Sequence, residues 1–132
     1  MEAPNRPRVI VIGAGFGGLN AAKALRHAPV DVLLIDRNNY HTCQPLLYQV
    51  ATAGLTDGDI AYQVRGVFHR QRNFRFRLGT VVDIDKEAKE VLLADGDRVA
   101  FDYLIAAPGA VYNDCGVPGV KEHAFVLKSL ER

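Results

Sequence analysis

Three glycines and one acid are the residues of this chain whose types and spacing can do chemistry. Gly13, Gly15 and Gly18 fit G-x-G-x-x-G within "RVIVIGAGFGGLNAAKALRHAPVDVLLID", and Asp36 closes that stretch just after its last apolar residue. In such a pattern the first glycine allows a tight turn and the second lets backbone approach a pyrophosphate. The third lets a helix pack closely on a strand. Helix-start amides, with the helix dipole behind them, then hold the phosphate charge. A carboxylate about twenty residues after the glycines can accept the hydrogens of both ribose hydroxyls of an adenosine. Asp36 would repel a 2′-phosphate, while Arg37 leaves an opening for NADP.

A glycine triplet alone also suits a plain turn, so the elements around it decide the reading. Val9 to Ile12 is continuous β-branched sequence and predicts a strand covered on both faces. From Gly17 the pattern is helical, with Leu19, Ala22 and Leu25 at helical spacing, and Pro29 ends it. Asp31 to Ile35 restores an apolar strand. Strand, helix and strand in about thirty residues make a βαβ unit and hence a parallel sheet. The glycine turn thus follows a strand and opens a helix, the context in which the triplet binds a dinucleotide.

Downstream, the pattern is less regular. Short helices are expected around Leu47 and over Tyr62 to Phe68, and "FRFRLG" alternates as a strand does. "TVVDIDKEAKEVLLADGDRVAFDYLIAAPG" holds strand-like runs broken at "DKEAK" and "DGD", with Asp95-Gly96 a good tight-turn pair. That predicts an antiparallel meander followed by one more buried strand, Tyr103 to Ala106. The last residues, "EHAFVLKSLER", form a helix-like run without a capping glycine or proline, as if the chain were cut there.

Composition sets the bounds. The 132 residues amount to one domain by ordinary priors, 48% hydrophobic content suffices for a core, and a net charge of +1 points to no nucleic-acid partner. Cys43 and Cys115 make neither a metal spacing nor a CxxC pair, and no metal site is expected. "VIVIGAG" is too short and glycine-broken for a secretory signal. No apolar run approaches the roughly 20 residues of a bilayer span. A soluble, cytoplasmic protein is expected.

The glycines do not separate FAD from NAD, but the residues beyond the βαβ unit bear on the choice. The βα units give way to a meander and then to "YLIAAPGA". This order resembles the FAD half of two-dinucleotide-binding flavoproteins, where a strand ending in an Ala-Thr-Gly-like triplet returns to the cofactor. Ala107-Pro108-Gly109 stands in that place, its proline without the hydroxyl of the commoner threonine.

The segment "DRNNYHTCQPLLYQVATAGLTDGDIA" resembles the type II, non-proton-pumping NADH dehydrogenases, the NADH:quinone oxidoreductases, and "GVPGVKEHAFVLKSLE" resembles their stretch between FAD half and NADH domain. The resemblance runs from Arg8 to Glu131 and departs at Cys43, where an aromatic or aliphatic residue is usual. It implies the N-terminal FAD-binding part of a Rossmann-like α/β flavoprotein of the pyridine nucleotide-disulfide oxidoreductase superfamily, as one domain over residues 1–132. The NADH domain and the C-terminal quinone and membrane region would lie outside it. FAD is the implied cofactor, with NADH and quinone as substrates of a full-length respiratory enzyme, peripheral on the cytoplasmic membrane face. These residues alone would not turn over.

Carried over residue by residue, the resemblance implies that Gly13, Gly15 and Gly18 hold the FAD pyrophosphate with Asp36 on the ribose, and that Phe16, Gly17 and Arg37 are among the cofactor-binding residues. It places Thr52 near the flavin, Val81 on the adenine through its backbone, and Ala107 and Gly109 along the cofactor. The catalytic residue stays unassigned. Alternative readings are a ferredoxin or sulfide:quinone reductase type, or a cofactor-binding module without turnover.

Other residues have plainer accounts. His41 is expected to bond backbone in an irregular loop rather than to act as a base. Cys43 and Cys115 are expected to be inert thiols. The run Arg65, Arg70, Arg72, Arg75 and Arg77 reads as a solvated helix end and edge strand balanced by the acids that come after it. Tyr40, Tyr48 and Tyr62 read as packing residues.

Overall fold

The computed structural model describes residues 5–42, 44–111, 113–124 and 127. The chain forms two compact units, one from Met1–His41 with Gln63–Gly109 and the other from Thr42–Tyr62 with Ala110–Arg132.

The first unit is a mixed α/β structure whose strands follow the apolar runs. Strands β1 (Arg8–Ile12), β2 (Asp31–Asp36), β5 (Phe74–Leu78) and β9 (Tyr103–Ala106) form one sheet in the order β5-β2-β1-β9. Each neighbouring pair is parallel, with Ile10 opposite Leu33 on one side and Leu104 on the other. Helix α1 (Phe16–Ala24) crosses from β1 to β2, completing the βαβ unit. Helix α4 (Val64–Val67) precedes β5. The meander of β6 (Val81–Asp85), β7 (Glu90–Leu93) and β8 (Arg98–Ala100) is antiparallel.

Alternation along the strands explains the layers. Val9, Val11, Val32 and Leu34 point one way and bury with Leu19 and Ala22 of α1 and with Val64 and Phe68. Ile10 and Ile35 point the other way and bury with Val91, Leu93 and Val99 of the meander. A sheet covered on both faces needs apolar side chains at successive positions, which is why β1 and β2 read as unbroken runs. Each fully buried side chain such as Ile10 or Leu34 contributes on the order of 1.5–3 kcal/mol of transfer free energy. Phe68 and Phe74 stack with centroids 3.9 Å apart, joining the end of α4 to β5.

Three expectations need correction. Ala61–Gln63 form a strand, β4, which pairs with β3 (Tyr40–Thr42), so the helix expected over Tyr62 to Phe68 shrinks to α4. Gln63 is extended, with ψ at 124°, because pairing overrides local helix preference there. Strand β9 is only partly buried, Tyr103 being 62% exposed, because it lies at the sheet's edge among the described residues. Tyr48 and Tyr62 are more than half exposed rather than packed, and the Tyr48 hydroxyl accepts a bond from Gln49 Nε2 at 2.9 Å.

The arginine run fits its plain account. Arg77 pairs with Asp95 and Asp97 of the β7–β8 turn, and Arg65 lies over the Phe76 ring at 5.6 Å. Asp97, through its hydrogen bond, and the charges of both acids raise the Arg77 pKa. Edge strand β5 thereby carries charge where an unpaired edge would otherwise invite another strand.

At the C-terminal end of α1, Arg6, Arg26, His27, Asp31 and Arg72 line an open cleft of about 410 Å³ together with Asn73.

The second unit holds a 3-10 turn at Gln44–Leu46, α2 (Leu47–Ala51), α3 (Asp57–Ile60) and α5 (Val120–His123). Cys43 and most of the closing "EHAFVLKSLER" run lie outside the described residues. Cys115 is an exposed free thiol. No helix among the described residues is long and apolar enough to cross a membrane.

Candidate nucleotide site

The glycine turn sits where four strands end. Gly13 N donates to Ile35 O at 2.9 Å, Ala107 N to Ile12 O at 2.8 Å and Gly79 N to Asp36 O at 2.9 Å. These bonds hold the carboxyl ends of β1, β2, β5 and β9 together just as the chain leaves them. In open parallel sheets this is where ligands lie, most of all where neighbouring connections run opposite ways. Here β2 lies on one side of β1 and β9 on the other.

Each glycine of the triplet has its own physical reason. Gly13 has φ of +101°, and a Cβ on it would collide with the Ala107 carbonyl. Only glycine adopts that conformation without strain. A Cβ on Gly18 would collide with the Gly13 carbonyl, so the third glycine sets how closely α1 approaches the turn. Gly15 differs, since a Cβ there would meet nothing within 4 Å. No contact within the fold demands a glycine at position 15, and the space before it is open.

That space faces unpaired donors. Leu19 N bonds Gly15 O at 3.0 Å, closing the first turn of α1. Among the described residues, the amides of Gly15, Phe16, Gly17 and Gly18 have no acceptor, and no side chain caps the helix. The first turn carries no acid. Four free amides at the positive end of a helix dipole form a seat for an anion. Gly15, Phe16 and Gly17 are exposed, and Gly17 faces the Ala107 side chain, 3.5 Å from where its Cβ would be.

Asp36 lies at the end of β2, half-buried. Its Oδ2 accepts the Ala14 amide at 2.7 Å and its Oδ1 accepts the Asn38 amide at 2.7 Å. Each oxygen retains a second lone pair. Arg37 is exposed. Val81 begins β6 opposite Leu93, two residues beyond Gly79, which is bonded to the Asp36 carbonyl. Gly109 has φ of +73° and stands open to solvent. The first unit therefore brings Gly13, Gly15, Phe16, Gly17, Gly18, Asp36 and Ala107 to one sheet end. Thr52 belongs to the second unit, where it ends α2 and its hydroxyl donates to Tyr48 O at 2.9 Å.

Three polar residues matter more than their sequence context suggested. His41 is buried, and its Nδ1 bonds the Ala14 carbonyl at 2.8 Å. It bonds backbone as expected, but the backbone is that of the glycine turn itself. Gln71 Nε2 donates to Ala22 O at 2.9 Å, and Asn73 Nδ2 donates to Leu25 O at 2.9 Å and Val30 O at 3.0 Å. They satisfy carbonyls at the C-terminal end of α1, whose sequence has no capping glycine. That missing cap was the signal that donors had to come from elsewhere.

Known proteins resemble this chain in sequence and in fold. The type II NADH:quinone oxidoreductase Ndh of Mycobacterium tuberculosis is 44% identical over 133 residues, a match spanning 98% of this chain and 29% of that protein. The structure of NDH2 from Plasmodium falciparum in complex with NADH superposes with a TM-score of 0.84 at 27% identity, over 94% of this chain and 26% of that one. The sulfide:quinone oxidoreductase of Aquifex aeolicus gives 0.82 at 27%, over 88% and 27%. The chain thus spans less than a third of each relative's length. The family described as pyridine nucleotide-disulphide oxidoreductase matches residues 7–132, and to that oxidoreductase family this chain belongs.

Proposed function

We propose that the first unit binds FAD through its adenosine diphosphate half, and that the chain is the FAD-binding portion of an NADH:quinone oxidoreductase. The observation that carries the reading is the set of four unpartnered amides at the start of α1, before the open face of Gly15 and beside Asp36. A pyrophosphate fits that seat, since it accepts amide protons and its charge is favoured at the helix start. The relatives' names supply the reaction class, with the whole activity assigned to a protein of which this chain spans a part.

In this reading the amides of Gly15, Phe16, Gly17 and Gly18 bind the phosphates. Asp36 accepts ribose hydroxyls on its remaining lone pairs, and Ala107 and Gly109 border the cofactor's path. Val81 offers backbone to the adenine. The role of Thr52 rests on the family resemblance alone. FAD, when bound, would supply hydride-accepting and electron-passing chemistry, and the residues named here would hold and orient it. Any membrane association would come from residues outside these 132.

The test is a flavin titration with FAD, FMN and riboflavin in parallel. FAD is expected to bind and the other two are not, because only FAD carries the adenosine diphosphate that the seat recognises. Equal binding of FMN would move the site elsewhere.

A further inference from the structure

We infer that His41 is a positioning residue of the nucleotide site, aiming the Gly15 amide by holding the peptide to which that amide belongs. The inference rests on the FAD reading above.

The geometry is local. A carbonyl only accepts, so the imidazole donates its Nδ1–H to Ala14 O at 2.8 Å. His41 is 8% exposed, and Phe16 packs against its ring edge-on, with centroids 5.0 Å apart and an 84° interplanar angle. Both ring and carbonyl are therefore fixed. The C=O of Ala14 and the N–H of Gly15 share one planar trans peptide and point in opposite directions. Drawing the oxygen toward His41 sends the Gly15 N–H away from it. The preceding peptide is held by Asp36, which accepts the Ala14 amide at 2.7 Å. Two consecutive peptide planes are thus set by two side chains, one a donor and one an acceptor.

Ala14 is 3% exposed. Without the imidazole its carbonyl would be left unpaired in the interior, and buried carbonyls rarely stay so. Rotating the Ala14–Gly15 peptide to find another donor would carry the Gly15 N–H off its aim. What matters is a donor at the position of Nδ1. Asparagine places an amide nitrogen close to that position, glutamine places it one bond further out, and leucine offers none.

The experiment compares His41→Asn, His41→Gln and His41→Leu with the wild-type protein. It reads the FAD dissociation constant, the melting temperature without ligand, and the Gly15 amide signal of ¹⁵N-glycine-labelled protein without ligand. Losing one well-aimed amide to a phosphate corresponds to about tenfold in affinity or more. Gln and Leu are expected to show that loss and a broadened or doubled Gly15 signal. Asn should stay within about threefold of wild type, with a single Gly15 signal. A merely structural role would lower the melting temperature in all three and leave FAD affinity and the Gly15 signal alone. A folded Gln or Leu variant with wild-type FAD affinity overturns the inference. If the wild-type protein binds no FAD, the FAD reading fails, and the ligand-free Gly15 signal still decides whether His41 aims the amide.

Discussion

Asp36 and Ala14 are 22 residues apart in sequence and joined by a 2.7 Å hydrogen bond from the Ala14 amide to the Asp36 carboxylate. The acid that marks the end of β2 therefore also fastens the glycine turn to the sheet. The same carboxylate accepts the Asn38 amide, so one side chain holds the chain as it leaves two strands.

Asp36→Ala is accordingly expected to act twice. Removing an ionised acceptor from two amides costs on the order of 1.5–3 kcal/mol each at most, and solvent at this half-buried site reduces that to about 2 kcal/mol together. FAD affinity should fall as well. Denaturant unfolding reads the first effect and flavin titration the second. Unchanged affinity would remove Asp36 from the ligand's reach and leave it a structural clamp.

The glycines should separate under substitution. Gly13→Ala and Gly18→Ala place a Cβ against backbone carbonyls and should destabilise by roughly 3 kcal/mol or more through strain and overpacking. At Gly15 a Cβ meets no protein atom within 4 Å, so for Gly15→Val stability should change by less than about 1 kcal/mol while FAD binding is lost to obstruction. A Gly15→Val protein that purifies yellow would refute this assignment.

Asn73→Ala probes the opposite end of α1. It leaves the half-buried Val30 carbonyl without its donor and removes one of two donors from the Leu25 carbonyl, which keeps the Ala28 amide at 3.1 Å, and an acceptor left unpaired costs about 1–3 kcal/mol. Water reaches part of this region, so a total near 2 kcal/mol is expected from thermal or denaturant unfolding. FAD affinity, measured at a temperature where the variant is folded, should stay at the wild-type value. A large loss of affinity would mean that the helix end influences the glycine turn.

Turnover is the fourth expectation. Hydride transfer needs two cofactors with reacting atoms about 3–3.5 Å apart, and the 132 residues contain one G-x-G-x-x-G. These residues alone should bind FAD weakly or reversibly and show no NADH:quinone reductase activity. Robust FAD-dependent NADH oxidation by them, with contaminating reductase excluded, would defeat the expectation.

The βαβ unit was legible because its signals are local. β-branched runs, a glycine triplet and an acid all fall within about thirty residues, and the parallel sheet is their direct result. The meander was legible through Asp95-Gly96, where Gly96 takes φ of +92° and its amide returns to Leu93 O at 2.9 Å. The features that escaped depend on partners distant in sequence. Gln63 gave no local sign that Ala61–Gln63 would pair as a strand. Tyr103 gave none that its strand would lie at an edge. His41 could be read as a backbone-bonding histidine, but nothing near it in sequence names Ala14, 27 residues earlier, as the acceptor. Asn73 and the carbonyls it satisfies are likewise more than forty residues apart.

The cleft at the far end of α1 has a consequence for the field that an approaching ligand meets. Arg26, His27, Arg6 and Arg72 gather at the helix's negative pole with a single acid, Asp31, while the first turn at the other pole holds none. Arginines offset one pole, and at the other the Asp36 carboxylate is tied to the Ala14 amide with exposed Arg37 next to it in sequence, so at a distance the helix acts less as a dipole than as a net positive source. Such a source steers anions inward over a range set by the Debye length, about 8 Å at physiological salt and about 30 Å at 0.01 M. Capture of a phosphate-bearing ligand should therefore quicken as ionic strength falls, even though the first turn of α1 holds no lysine or arginine.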